Sequence, residues 1–239
     1  MIYIRAIASG SSGNCYLIWD GSTRILIDAG VPVRRIQSAC GFRLSDVTGC
    51  LISHEHRDHA SHAKDLVRYG IDIYTGQGTI DALEGTGSEL SGPYVHPVKA
   101  LMQFRVGSFS VLPFDVEHDA KEPMGFLIQS HEAGEKLLYF TDTYYIKYKF
   151  RRIKYLMAEC NYTQKRLIEA VNEGTVPAYR IDRLAHSHMS LEALEDMIKA
   201  NDMSNLKQVW LMHLSKDNSQ EDVMKERIQK LTGAEVYVC

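Results

Sequence analysis

The chain of 239 residues has only five cysteines (Cys15, Cys40, Cys50, Cys160 and Cys239), and no two of them form a C-x-x-C pair. That absence argues against a zinc ribbon and against a secreted disulfide framework. The odd, scattered set reads instead as buried apolar filler in a reducing compartment, so a cytoplasmic location is expected. No run approaches the roughly 18–20 apolar residues of a membrane span, and no membrane association is expected. The start, Met1-Ile2-Tyr3-Ile4-Arg5, has an early Arg and no long apolar stretch, and reads as a strand rather than a signal peptide. Internal repeats and low-complexity segments are missing too. Neither sign of charge dominates, since 27 Lys and Arg face 30 Asp and Glu for a net −3. What remains is ordinary globular composition, 45% hydrophobic and 24% charged, which excludes collagen, disorder and coiled coil. A chain of this length buries one large core without staples, as one domain over residues 1–239 or two half-domains around a shared core.

The charge is balanced in total but not in distribution. From Thr143 to Arg166 there are seven basic residues and one acid, Glu159, so this window carries +6 and the rest of the chain −9. Lys147, Lys149, Arg151, Arg152 and Lys154 interleave there with Tyr144, Tyr145, Tyr148, Phe150, Tyr155 and Tyr162. Such a mixture tracks a phosphate backbone and stacks exposed bases. A solvated face over a tyrosine-rich core explains the same pattern.

Short β-rich runs dominate the chain: Tyr3–Ala8, Tyr16–Trp19, Arg24–Ile27, Cys50–Ser53, Ile71–Tyr74, Phe109–Leu112, Phe126–Gln129, Lys136–Phe140, Gln208–Met212 and Glu235–Cys239. Helical periodicity follows His59 (Ala63, Leu66 and Val67, ending at Gly70) and Ser190 (Leu191, Leu194, Met197 and Ile198). A last helix is expected to open at Ser219 and stop at Gly233, while Glu84–Pro97 reads as a loop. The class is α/β with much β.

The chemistry concentrates in Ile52-Ser53-His54-Glu55-His56-Arg57-Asp58-His59, where an apolar strand runs into H-x-H-x-D-H. In an extended chain His54, His56 and Asp58 share one face, and His59 falls where the next helix begins. Four nitrogen and oxygen donors converging at a strand end suit a hydrolytic metal site. His54-Glu55 also begins an H-E-x-x-H pattern, but position 58 is Asp, so the zincin reading fails.

The H-x-H-x-D-H element resembles the hallmark of the metallo-β-lactamase superfamily. Other motifs similar to that superfamily's follow in order: Ile25-Leu26-Ile27-Asp28-Ala29-Gly30, His118 in Val116-Glu117-His118-Asp119, Asp142 in Tyr139-Phe140-Thr141-Asp142-Thr143, and His213 after Val209-Trp210-Leu211-Met212. Within the superfamily the chain most resembles the YycJ/WalJ-like branch. Ser9-Gly10-Ser11-Ser12-Gly13-Asn14, His188-Met189-Ser190-Leu191-Glu192 and His213-Leu214-Ser215-Lys216-Asp217-Asn218 are similar to that branch's elements. Two positions depart from it: His62 replaces a customary Gly, and the branch's Glu-Ala-Asn-His appears as Glu159-Cys160-Asn161-Tyr162.

The resemblance implies an αββα four-layer sandwich with two mixed β-sheets. It also implies two divalent ions, zinc first and manganese or iron as alternatives. His54, His56 and His118 would hold one ion, Asp58, His59 and His213 the other, and Asp142 both. Asp28 would orient a ligand from behind, and Asp58 and His188 would carry catalysis. A pair of ions roughly 3.5–4 Å apart acidifies water and clamps the attacking and leaving oxygens. His188 resembles a nuclease histidine beside the scissile phosphate, and His186 is near enough to share the role. A helix-start histidine beside the cap Ser190 is the plainer reading. Expected substrate contacts are Ser12, Asn14, Ser215, Asn218, Lys149, Arg151 and Arg152. The glycine turn at Ser12–Asn14 offers backbone N–H groups to an anion, or is an ordinary turn.

The activity implied is a binuclear phosphodiester hydrolase acting on nucleic acid, a 5′-to-3′ DNA exonuclease, with no stable protein partner. A small-molecule hydrolase (of a small or cyclic phosphodiester, a lactone or a thioester) would not need the basic window. A non-catalytic metal-binding regulator would show no turnover.

Overall fold

The computed structural model describes residues 1–177, 184–215 and 219–239. They divide into two compact units, one of Met1–Asp115 with Ala120–Glu135, the other of Val116–Asp119 with Lys136–Cys239.

The first unit is built on a six-stranded mixed sheet in sequential order: β1 (Tyr3–Ala8), β2 (Cys15–Trp19), β3 (Arg24–Ile27), β4 (Val47–Leu51), β5 (Asp72–Gly76) and β6 (Val95–Val98). The first three strands are antiparallel neighbours, as tight turns allow, whereas β3 to β6 run parallel. Parallel neighbours need crossovers. These contain α1 (Val33–Ala39), then α2 (Arg57–Ala60) with α3 (Ala63–Arg68), then α4 (Gln77–Leu83). Leu26, Cys50, Ile52, Leu66 and Ile73 share one buried cluster with Cys15 and Cys40. The expectation that these thiols fill core space holds, and burial pushes all three above their ordinary values. An antiparallel ladder of β7 (Phe104–Val106), β8 (Phe109–Asp115) and β9 (Met124–Ser130) completes the unit. The loop expected over Glu84–Pro97 ends early. Its last three residues belong to β6, and Pro97 is tolerated because β6 is an edge strand.

The second unit holds four parallel strands: β10 (Lys136–Phe140), β11 (Tyr155–Glu159), β12 (Gln208–Met212) and β13 (Glu235–Val238). The helices described in full there are α5 (Gln164–Asn172), α6 (Leu191–Lys199) and α7 (Glu221–Thr232). Ser190 caps α6 by accepting the Ala193 N–H, and Gly233 ends α7 with φ +66°, both as the sequence predicts. Ser219 does not open α7, which begins at Glu221 with Gln220 as its flanking residue.

Strand β11 is buried at every position, in the middle of what the charge pattern marks as a basic window. A strand covered on both faces reads as a continuous apolar run rather than an alternation, so periodicity does not separate it from its charged neighbours. The window therefore splits. Residues 141–154 form an irregular segment bearing five of the cations, β11 with residues 160–163 enters the core, and Lys165 and Arg166 stand on the first turn of α5, with Lys165 exposed.

Candidate metal centre

Register puts the chemistry of the second unit at one edge. Phe140 pairs with Ala158 and Ala158 with Leu211, while Glu159 pairs with Met212. The carboxyl ends of β10, β11 and β12 thus carry Asp142, Glu159 and His213 side by side, where open α/β sheets bind ligands. Asp142 and His213 both take left-handed backbone, with φ +47° and +53°. In the first unit Asp28 ends β3 with φ +60°. Non-glycine residues at positive φ are strained, and three predicted motif residues share that strain.

Glu159 is fully buried and collects donors. Its Oε1 lies 2.6 Å from His188 Nδ1, 3.1 Å from His213 Nδ1 and 3.4 Å from the Asn161 amide. Its Oε2 accepts the backbone N–H groups of Thr143 and Met189, both at 3.1 Å. A carboxylate offers about four lone-pair directions, so Glu159 is saturated and acts as an orienting group rather than a metal ligand. Asp142 Oδ1 lies 3.2 Å from the same nitrogen of both His188 and His213. Burial works against a charge on His188, but the facing Glu159 carboxylate outweighs it and, with Asp142, holds the imidazole at about 10. Burial works against the charge on Glu159 as well, yet the His188 cation keeps its carboxyl below the usual range. With both Nδ1 atoms turned to carboxylates, His188 and His213 offer Nε2 for ligation or proton transfer. His118 packs its ring edge-on to that of His188 at 5.9 Å, with Asp119 3.3 Å from its Nδ1.

In the first unit His54 packs against His59 and His56, with ring centroids 4.2 and 4.7 Å apart. Asp28, without exposure, accepts the Ser53 N–H at 2.8 Å and holds His59 Nδ1 at 2.8 Å. The His59 proton is thereby placed on Nδ1, leaving Nε2 as the donor atom. Ser53, overlooked in the sequence, bonds Asp28 through its hydroxyl and lies 3.0 Å from His54 Nδ1. Glu159 and Ser53 are the two orienting groups that the sequence leaves unmarked. Only the similarity of Glu159-Cys160-Asn161 to a branch element points at the first.

Asn14 takes a different place from the expected substrate contact. It is buried, and its amide lies 3.0 Å from His59 Nε2 and 3.4 Å from Asp58 Oδ2, so it supports the ligands. The Gly13 and Asn14 N–H groups bond to the carbonyls of Gly10 and Asp58, so the anion reading of that turn fails at these two atoms. The turn is instead a clasp. A side chain on Gly30 would put Cβ 1.7 Å from the Asp58 carbonyl oxygen, so only glycine allows the approach.

Ser12 is exposed and lines a cavity of about 1070 Å³ with Asp58, Arg57 and His62. Ser215 is half-buried, its N–H on the Asn161 carbonyl, and Asn218 lies outside the described residues. Lys149, Arg151 and Arg152 are exposed. The carboxyl of Asp202 is held low, first by the Ser204 hydroxyl and then by the charges of Arg151 and Arg152. Of the interleaved aromatics, Phe150, Tyr155 and Tyr162 are core residues, Tyr144 and Tyr148 are half-buried, and Tyr145 is 56% exposed. The stacking surface is smaller than the sequence suggests.

The donors suit a divalent ion. In the second unit, donor atoms of Asp142, His188 and His213 gather around the orienting Glu159, all within 4.8 Å of one another. All are nitrogen or oxygen, a set that zinc, manganese and iron accept.

A family model for the β-lactamase superfamily domain matches residues 23–214. The chain is 27% identical over 244 residues to the exodeoxyribonuclease YycJ of Bacillus anthracis, covering 96% of this chain and 89% of that one. It is 29% identical over 228 residues to the exodeoxyribonuclease WalJ of Streptococcus pneumoniae, covering 89% and 81%. Among solved structures it resembles the metallo-β-lactamase fold protein YhfI of Bacillus subtilis, with a TM-score of 0.74 at 15% identity over 100% of this chain and 95% of that one. The fold is accordingly the metallo-β-lactamase αββα sandwich. The chain belongs to the β-lactamase superfamily, as a metallo-β-lactamase-fold hydrolase of the YycJ/WalJ branch.

Proposed function

We propose that the chain is a binuclear phosphodiester hydrolase that degrades DNA exonucleolytically from the 5′ end. The observation that carries this reading is the His188–Glu159 pair, 2.6 Å apart beside Asp142 and His213. The relatives' activity names favour DNA as the substrate. In this reading residues 1–239 work as one domain in the cytoplasm, consistent with buried free thiols and with no described helix long and apolar enough to cross a membrane.

His54, His56 and His118 would hold one ion, Asp58, His59 and His213 the other, and Asp142 both, with zinc the first candidate and manganese or iron the alternatives. When bound, such ions supply Lewis acidity toward phosphoryl oxygens and acidify water. The protein's own groups do the rest. Glu159 fixes the His188 ring through Nδ1, so that Nε2–H points away from it. That proton goes to the leaving oxygen as the phosphodiester bond breaks, a contribution of order 10²–10⁴ in rate. Asp28 keeps the His59 proton on Nδ1, and Ser53 steadies His54. Ser12, Ser215, Lys149, Arg151 and Arg152 are the candidate contacts to the polymer.

The test is metal-loaded protein incubated with 5′- and 3′-end-labelled DNA and RNA, single- and double-stranded. The 5′-labelled DNA should yield labelled mononucleotide first, while the 3′-labelled strand shortens gradually. Release of the 3′ label first overturns the polarity. Hydrolysis of bis-p-nitrophenyl phosphate with no nucleic acid cleavage moves the small-molecule reading ahead.

A further inference from the structure

Beyond the metal ligands, the irregular segment after Asp142 and the facing side of α6 enclose a cavity of about 380 Å³. Its floor is apolar, made by the buried Ile146, Met189 and Met197, and Tyr144 and Tyr145 stand at its wall. We propose that this cavity receives one unstacked base of the nucleic acid strand, from the nucleotide beside the phosphate under attack. The inference rests on the nuclease reading and names how that site grips its polymer.

The cavity adjoins the chemistry through the chain itself. Met189 follows His188 directly, and Tyr144 stands two residues after Asp142. Its wall is fixed to the same carboxylate that orients His188. The Thr143 N–H bonds Glu159, and the Thr143 hydroxyl donates to the Tyr145 carbonyl at 3.0 Å. That hydroxyl also accepts the Glu117 N–H at 3.1 Å, next to His118. A base held at this wall is therefore positioned with respect to His188 by three hydrogen bonds and no flexible linker.

The volume lies in the range of small-ligand sites, and an apolar floor beside an aromatic wall suits a planar ring. Tyr145 keeps 56% of its surface exposed, although an aromatic ring gains from cover. The charges favour a strand on balance: Lys149 lines the cavity together with one acid, Asp196, which lies 3.6 Å from the Lys199 ammonium, and Lys147, Arg151 and Arg152 are exposed along the same segment. Few groups can read the base edge. The Asn201 amide accepts the Phe150 N–H at 2.6 Å and donates to the Met197 carbonyl at 2.7 Å. Grip without directed donors is sequence-tolerant, so all four bases should be accepted.

Two variants test the cavity, Ala193→Trp to fill it from α6 and Tyr145→Ala to remove an exposed wall without touching the core. Two readouts are used on each. One is the ratio of kcat/KM for a single-stranded oligodeoxynucleotide to that for the same strand made abasic beside the cleaved bond. The other is the fluorescence of 2-aminopurine at that position in a phosphorothioate strand, whose quenching reports stacking without turnover. The wild-type protein should favour the intact strand by about 10-fold and quench the probe. Both variants should lose the quenching and bring the ratio to within about 2-fold of unity. A wild-type protein that ignores the abasic site and leaves the probe bright overturns the cavity while leaving the nuclease reading intact. Variants indistinguishable from wild type in both readouts overturn it equally. Quenching that the variants abolish, on a protein that cuts no nucleic acid, keeps the base site and removes the nuclease.

Discussion

Replacing Glu159 by Gln changes one atom of the side chain and leaves its volume almost untouched, so it isolates hydrogen bonding from packing. The wild-type carboxylate accepts on both oxygens: His188, His213 and Asn161 on Oε1, and the Thr143 and Met189 N–H groups on Oε2. A Gln has one acceptor oxygen and one NH₂ group. If its oxygen faces the histidines, the NH₂ group meets the backbone N–H donors of the buried Thr143 and Met189. If it is flipped, the NH₂ group meets the imidazole nitrogens, which either face it as donors or must give up their Nδ1 protons and with them the charge-assisted bond. Each buried donor left facing a donor costs about 1–3 kcal/mol, so either orientation loses about 3 kcal/mol in total. In a chain of this size each kcal/mol moves Tm by about 2–4 °C, which predicts a fall of about 6–12 °C. The His188 ring also loses its fixed orientation, and turnover should fall about 10²-fold. The assays are thermal unfolding by circular dichroism and turnover of bis-p-nitrophenyl phosphate on the metal-loaded protein. Adding His188→Ala to Glu159→Gln should cost little further turnover, because the two groups act as one. A variant that melts within about 1 °C of wild type and keeps its rate would refute the argument, since one amide oxygen cannot replace two carboxylate oxygens that hold a protonated His188 and two backbone N–H groups at once.

Three other outcomes are expected. Metal-loaded protein should carry about two divalent ions per chain, and Asp142→Ala should lower occupancy at both positions; elemental analysis showing unchanged content would remove its bridging role. Changing Lys149, Arg151 and Arg152 to Glu should raise KM for DNA about 10-fold and flatten its salt dependence, with bis-p-nitrophenyl phosphate turnover unaffected; equal losses on both substrates would mean damage to the fold. Asp20 is buried, which raises its carboxyl, but the hydroxyls of Ser108 and Ser130 and the N–H groups of Thr23 and Ser22 outweigh burial and lower it from 3.8. A depressed folded value stabilises above the unfolded value and is lost as pH falls through the folded one. Asp20→Asn should therefore cost about 2 kcal/mol in urea unfolding at pH 7, and the gap to wild type should narrow below about pH 3.8; a constant gap would refute the assignment.

The parts of this protein written in local order were legible without coordinates. Strands β1, β3, β10 and β12 run between the residues that the apolar runs mark. Ser190 and Gly233 act locally, one by capping and one by adopting positive φ, so short-range chemistry determines both. The H-x-H-x-D-H spacing likewise announces its donors, because four of them fall within six residues at a strand end.

Long-range pairing had no such signature. Glu159 is one acid in a basic window until the parallel register of β10, β11 and β12 sets it between Asp142 and His213. Asn14 resembles a turn residue until the close approach at Gly30 brings the Asp58 carbonyl onto it. The aromatics of the window look alike in sequence, yet Phe150 and Tyr155 are core while Tyr145 is open. Composition determines which donors, rings and cations a chain owns. Which of them are desolvated together depends on strand register and burial, and desolvation is what turns a carboxylate and an imidazole into a fixed pair.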